Sequence, residues 1–340
     1  MSTEEKAPRA ANIFDVARLA GVSHQTVSRV LNDLPNVRPA TRERVEHAIA
    51  QLRYSPSPAA RALVTRRTRT IGLITPGLSD HGPTSIAMHF NIAARAARYS
   101  VDIVSAPDSD VTAIRLVIES LLRQRVDALV LIVVDSAVLE FIRGLDLTIP
   151  LVAVAATPRR GTHIVSIDQY RGARGAVRHL AELGHARILH LAGPSTAPDA
   201  IERVRGWRDE LAAQHLDAPE LIQGEWTAAS GYAIGQALDL ASGTAAFASN
   251  DQMAIGLLSA LRERGIRVPE DISVVGFDDV PEAPYMYPPL TTVRQDFAAL
   301  GGLIMQKVLV AVEEPDVATE DTPLSTSLVI RQSTGPASAG

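Results

Sequence analysis

The chain has no cysteine in 340 residues, which removes disulfides, zinc–thiolate sites, iron–sulfur clusters and thiol nucleophiles together. It has no uninterrupted apolar run of about 18 residues, so no helix is expected to span a membrane. The first residues, MSTEEKAP, are polar and lack the apolar core of a secretory signal, and the expected address is cytoplasmic. Catalytic signatures are also missing. There is no GxSxG, no phosphate-binding loop and no glycine-rich dinucleotide fingerprint, so no catalytic residue, metal or cofactor is expected. His185 and His190 are five apart, a spacing that does not share a helix face, and they read as a loop and a strand histidine.

What is present is an ordinary globular balance, 46% hydrophobic and 21% charged, at a length that implies about two domains with a small appendage. Charge is unevenly spread. Residues 1–69 hold 12 Lys+Arg against 6 Asp+Glu, a net of +6, and the remainder holds 21 against 32, a net of −11. A basic head suits a polyanion that an acidic body would repel.

Three short helical patterns occupy residues 12–52. Asn12 is placed to cap the first, with Asp15 at its third position and Val16, Leu19 and Ala20 on one face. Gly21 breaks it, Ser23 caps a second helix reaching Asn32 with Val27, Val30 and Leu31 inward, and a third begins near Thr41 with Val45, Ala48, Ile49 and Leu52 in register. Ser57 and Pro58 then suit the cap and first residue of a short helix over 57–64. From Thr70 onward, apolar runs at 71–75, 101–104, 128–133, 151–154, 164–167, 188–191, 247–248, 273–276 and 291–293 read as strands. Amphipathic segments at 84–98, 110–124, 170–183, 200–214, 228–240 and 251–264 lie between them. That alternation implies two doubly wound parallel sheets, with any ligand in the cleft at their strand ends.

Helix, glycine turn and a second helix opening on Ser23-His24-Gln25-Thr26 have the shape of a helix-turn-helix. Gln25 suits bidentate pairing with adenine and Arg29 with guanine, while Ser23, Thr26 and Ser28 suit phosphates. After the predicted strands of the body come Asn250-Asp251, Asp278-Asp279 and Gln295, while Arg203 lies on a helix after the Ala192-Gly-Pro loop and Trp226 supplies an aromatic face. Carboxylate, amide and guanidinium beside an indole face suit a sugar ring. Asp279 reads equally as a helix cap, and Trp207 as core.

The string DVARLAGVSHQTVSRVLN (15–32) resembles the lactose-repressor family of bacterial transcription regulators, and within it the lactose-repressor branch. So do HLAELGHARILHLAGP (179–194), GEWTAASG (224–231), ASNDQMAIG (248–256), DISVVGFDD (271–279) and PPLTTVRQDF (288–297). The resemblance runs over about residues 11–331. It implies an all-α helix-turn-helix head with a hinge helix, joined to an α/β periplasmic-binding-protein-like body of two doubly wound parallel-sheet subdomains. The implied divisions are a disordered leader (1–10), a DNA-binding domain (11–56), a hinge helix and linker (57–69), an effector-binding and dimerisation domain (70–333) and a frayed tail (334–340). Within the body, one subdomain takes about 70–165 plus 296–323 and the other about 166–295 plus 324–333.

The resemblance assigns DNA contact to Ser23, His24, Gln25, Thr26, Ser28, Arg29 and Asn32, and minor-groove contact to Ser57, Ala60 and Leu63, with Leu63 as the wedge. His24 stands where the branch carries tyrosine, so the preferred operator differs there. Effector contact falls to Ile86, Arg203, Trp226, Asn250, Asp278, Gln295 and Phe297. Ala155 replaces an aspartate that the branch uses on its sugar, and Asp168 is the expected substitute. The implied protein is a homodimeric repressor of sugar-utilisation genes that binds pseudo-palindromic operator DNA and is released by a sugar, a galactoside or another disaccharide. A corepressor-dependent regulator answering a nucleobase is the alternative. A transport-associated sugar-binding protein would lack the basic head. The end of the chain shows no apolar heptads, so a dimer rather than a tetramer is expected.

Overall fold

Two units divide the chain after Thr68. The computed structural model describes residues 11–31, 34–54, 67–76, 80–106, 110–156, 163–314 and 322–337. The expected leader and hinge helix, with Ser57, Ala60 and Leu63, lie outside the described residues, as does Asn32.

The smaller unit is built from α1 (Ile13–Ala20), α2 (His24–Leu31) and α3 (Pro39–Gln51). Asn12 Oδ1 accepts the Phe14 and Asp15 amides at 2.9 and 3.0 Å, and the Asp15 carboxylate accepts the Asn12 amide at 3.0 Å. This reciprocal pair satisfies amides that the helix itself leaves open. Gly21 ends α1 at φ 66°, a left-handed conformation that costs glycine nothing. Ser23 Oγ accepts the Thr26 amide at 3.2 Å and starts α2. Helix α3 begins two residues before Thr41, because Pro39 at its first turn has φ already set. Val16, Ala17, Ala20, Val27, Val30, Val45 and Ala48 form the core. Leu19 is 46% exposed; Ala17 takes its place on the buried face beside Val16 and Ala20.

The larger unit contains two sheets. The first is β2 (Ser100–Ser105), β1 (Thr70–Thr75), β3 (Ala128–Ile132), β4 (Leu151–Val154) and β5 (His163–Val165), in that spatial order and all parallel. Helix α4 (His81–Ala96) covers one face, and α5 (Val111–Arg123) and α6 (Ser136–Arg143) the other. The second sheet is ordered β11 (Ser327–Val329), β10 (Thr291–Arg294), β9 (Ser273–Asp278), β8 (Ala245–Ala248), β6 (Ile188–Ala192), β7 (Ile222–Gln223). Only β10–β11 is antiparallel. Helices α7 (Gln169–Glu182) and α8 (Pro198–Ala213) pack on one face, α9 (Ala228–Ala237) and α10 (Asp251–Glu263) on the other.

The chain passes between the sheets at 166–168 and at 295–296. Helix α11 (Phe297–Glu313) then returns to the first sheet and buries Phe297, Leu300, Ile304, Met305 and Val308 against α4. The chain returns to the second sheet before β11, and there a bridge between Ile167 and Leu324 ties this third crossing to the first.

Strands β7 and β11 and helices α6 and α11 are additions to the sequence reading. The tail is a correction. Ser333 Oγ donates to the Val274 carbonyl at 2.6 Å, Gly335 N–H donates to Ser273 Oγ at 3.0 Å, and Ala337 N–H donates to the Leu183 carbonyl at 2.8 Å. As far as Ala337 the tail is tied to the second sheet rather than frayed.

Candidate functional site

In the smaller unit, Ser23, His24, Gln25 and Arg29 are exposed on α2, and Thr26 and Ser28 are half-buried beside the inward Val27 and Val30. The Ser23 and Thr26 hydroxyls lie 3.0 Å apart at the helix N-terminus. The His24 ring packs 5.2 Å from Phe14, tilted by 45°, so the position that departs from the lactose-repressor branch is buttressed by α1. The helix therefore presents donors and acceptors on one face while its apolar stripe is spent on the core, as a major-groove reader requires.

In the larger unit, the C-terminal ends of both sheets' strands surround one cavity of about 420 Å³. Parallel α/β sheets place ligands there because strand ends and helix N-termini meet at that edge. All seven residues expected to contact an effector line it: Ile86, Arg203, Trp226, Asn250, Asp278, Gln295 and Phe297. The two walls differ. From the first sheet and its helices come Ile86, Ile132, Val133, Val154, Ala155, Phe297 and Leu300, together with Asp80, His81 and Asp135. The second sheet supplies Asp199, Arg203, Trp226, Asn250 and Asp278.

Arg203 is 3% exposed and is held on every side. Its Nε donates to Gln169 Oε1 at 3.0 Å, its Nη1 to the Ser249 carbonyl, and its Nη2 lies 3.8 Å from Asp278 Oδ1. The guanidinium sits 3.9 Å from the Phe277 ring centroid and 5.3 Å from that of Trp226. It pairs with Asp278, not with Glu202 or Glu210, the partners a surface reading would give it; Glu210 instead binds Arg174 and Arg178.

Asp278 is also buried, and its backbone stands at φ 118°. Trp226 stands at φ 62°. Non-glycine residues in this region cost of order 1–3 kcal/mol and collect at functional sites. Burial pushes the Asp278 carboxyl up to about 6, with Arg203 and the Gln295 hydrogen bond opposing. Asn250 caps α10 through the Met253 amide at 2.9 Å, and its Nδ2 donates to the Trp226 carbonyl at 2.9 Å. It thereby anchors the indole, which lies over Gly193; any Cβ there would meet the ring.

Three sequence expectations change. Asp168 caps α7 through the Arg171 amide at 2.8 Å and does not line the cavity, so it does not stand in for the aspartate that Ala155 replaces. Asp279 is an ion-pair clamp for Arg294 and Arg331, both at 2.6 Å. Asp251 turns inward, accepting the Thr292 hydroxyl at 2.6 Å and the Val280 amide at 2.9 Å. Burial and the Asp278 charge push its carboxyl up to about 8.

Sequence reasoning missed Gln169, Asp199 and His81, all on the cavity wall. Gln169 comes four residues after the end of the 163–165 strand, at the start of α7, and that place past a strand end is the signal that could have found it. The His81 ring meets Phe297 edge-on at 5.7 Å, and burial lowers its pKa while the charge of Glu282 raises it.

Residues 12–57 match the profile described as bacterial regulatory proteins, lacI family, and residues 177–334 match the one described as periplasmic binding protein-like domain. The chain is 34% identical over 326 residues to the lactose operon repressor of Escherichia coli, covering 95% of this chain and 90% of that protein. The crystal structure of the lac repressor dimer bound to operator and the anti-inducer ONPF superposes with a TM-score of 0.86 at 34% identity, covering 96% of this chain and 100% of that one. The complex of transcriptional regulator CelR with cellobiose gives 0.71 at 30% identity, covering 95% and 99%.

Proposed function

The chain belongs to the lacI family of bacterial regulatory proteins, and from that premise we propose that it is a homodimeric repressor of sugar-utilisation genes whose grip on operator DNA is released by a sugar. One observation carries this reading: Arg203, Trp226, Asp278 and Gln295 converge on a single cavity in a chain that also exposes a polar α2. Carboxylate and guanidinium bind hydroxyl pairs, and the indole covers the C–H face of a pyranose.

A volume of about 420 Å³ fits a two-ring ligand. The wall around Ile132, Val154 and Ala155 suits the C–H faces of a ligand, and Asp80, His81 and Asp135 on the same side offer partners for its hydroxyls. Gln25 and Arg29 read bases, and Ser23, His24, Thr26, Ser28 and Asn32 add further DNA contact. Ser57, Ala60 and Leu63 contribute the minor-groove contact. Two-fold operator symmetry requires the dimer. The protein acts in the cytoplasm, on the nucleoid.

A thermal-shift screen of mono- and disaccharides alongside purine bases tests the effector, since a ligand at 100 times its Kd adds about 2.7 kcal/mol. Stabilisation by a sugar is the expected result; stabilisation by purines alone overturns it. Anisotropy titrations on palindromic and scrambled duplexes at fixed salt test the DNA half, and equal affinity for both refutes sequence reading.

A further inference from the structure

We propose that Gln169 is the positioning residue of the effector cavity: held between Arg203 and Gln295, it fixes which way the Gln295 amide faces and so keeps Asp278 a hydrogen-bond acceptor for the ligand. The proposal rests on the sugar-cavity reading above. Its basis is a chain of polarity. Arg203 has only donors, so the atom of Gln169 at 3.0 Å from its Nε is the amide oxygen. Gln169 Nε2 then donates to Gln295 Oε1 at 2.9 Å, and Gln295 Nε2 donates to Asp278 Oδ1 at 2.6 Å. Two amides thus run from a donor-only guanidinium to an acceptor-only carboxylate, and one orientation of each satisfies all three bonds. All four side chains are buried, so water does not substitute for a wrong orientation. Asp278 Oδ2 has no hydrogen-bond partner among the described residues, and it is the oxygen left for a ligand hydroxyl.

Glutamate at 169 keeps the bond from Arg203 but loses the donor to Gln295. The Gln295 amide then turns its nitrogen toward residue 169 and its oxygen toward Asp278. Two acceptors face each other, and the conflict is relieved when Asp278 takes a proton and becomes a donor. The other charges facing Asp278 are Arg203 and Asp199 on α8, Asp80 before α4 and Asp251 on α10; Gln169→Glu adds one more carboxylate beside Arg203, which raises the Asp278 pKa by itself, so the uncharged Gln169→Met is the variant that tests orientation.

The test compares wild type, Gln169→Glu and Gln169→Met, each first checked for cooperative melting. Ligand-free chains are titrated by the fluorescence of Trp226, whose ring lies beside the Asp278-paired Arg203, with Trp226→Phe as the control that leaves Trp207 alone. The wild-type inflection near pH 6 is expected to move up by at least one unit in Gln169→Glu. Gln169→Met, which adds no charge and frees Gln295 to turn, is expected to raise the inflection as well, and an inflection raised in Gln169→Glu alone is a charge effect that overturns the proposal. Binding of ONPF and cellobiose at pH 7.5 is expected to weaken at least tenfold in either variant. An inflection unmoved in folded variants overturns the proposal. If neither probe binds wild type, those two ligands are excluded, and the ligand-free titration still decides the role of Gln169.

Discussion

His190 is fully buried in β6, its ring stacked 4.6 Å from Phe247 and its Nδ1–H donating to the Phe247 carbonyl at 2.9 Å. Its Nε2 has no partner among the described residues. Burial therefore holds the imidazole neutral and lowers its pKa from 6.5 to about 4. The unfolded chain binds this proton first as pH falls, so the contribution is fully present above pH 6.5 and is lost progressively toward pH 4. The loss amounts to about 3 kcal/mol. Asp278 and Asp251 titrate in the opposite sense, so the comparison that isolates the effect is urea unfolding of wild type against His190→Leu at pH 7 and pH 4.5. The wild type is expected to lose more stability between the two. At the other end of the chain, Arg29→Ala is expected to reduce operator discrimination by about 1–3 kcal/mol per half-site and to leave weak, salt-sensitive binding to random duplex. Anisotropy against both duplexes measures the difference.

At the scale of elements, the cavity is encircled by helix N-termini. Asp80 precedes α4, Asp135 caps α6, Asp168 α7, Thr227 α9, Asn250 α10 and Asp296 α11. Many of the acidic and amide groups near the cleft are thus complementing helix dipoles, and the side chains left to recognise a ligand are few. Helices α9 and α10 show a different constraint. A Cβ on Gly231 would collide with the Met253 carbonyl, and one on Gly256 with the Ala228 carbonyl. The two helices touch backbone to backbone, which holds the Glu225–Thr227 loop against the cavity. Gly256→Ala is expected to destabilise by about 1–3 kcal/mol through overpacking. Gly302→Ala on α11, where the new methyl meets nothing within 4 Å, is expected to be neutral or stabilising by up to about 1 kcal/mol. Urea midpoints of the pair separate packing from propensity.

At the scale of the whole molecule, a head of net +6 and a body of net −11 divide the labour. The first attracts a polyanion, and the second limits non-specific association. Coupling between cavity and operator is a free energy shared by both ligands. Whatever factor a sugar takes from operator affinity, operator DNA takes from sugar affinity, with factors of about 5–150 typical. Sugar titrations with and without saturating operator, against operator titrations with and without sugar, are expected to return the same ratio. Unequal ratios at equilibrium would break the two-ligand scheme.

The sequence by itself determined what nearest neighbours along the chain decide. It set the Asn12–Asp15 capping box, the Gly21 turn, the polar opening of α2, the alternation of strand and helix, and the rule that functional groups follow strand ends. Asn250, Asp278 and Gln295 were legible for that reason, and Arg203 and Trp226 through the family resemblance. Tertiary structure decided what depends on partners far apart. Gln169 and Gln295 bond across 126 positions, and nothing local to either announces the other. Asp168 caps its own helix instead of entering the cavity because the bridge of Ile167 to Leu324 sets the direction in which the chain enters α7. The short strands β7 and β11 carry too few residues for a period of two to show, and the tail is ordered only because Ser273 and Val274 offer it buried partners. Local sequence fixes dihedral preferences and caps, whereas the pairing of buried polar atoms waits on the packing of two sheets.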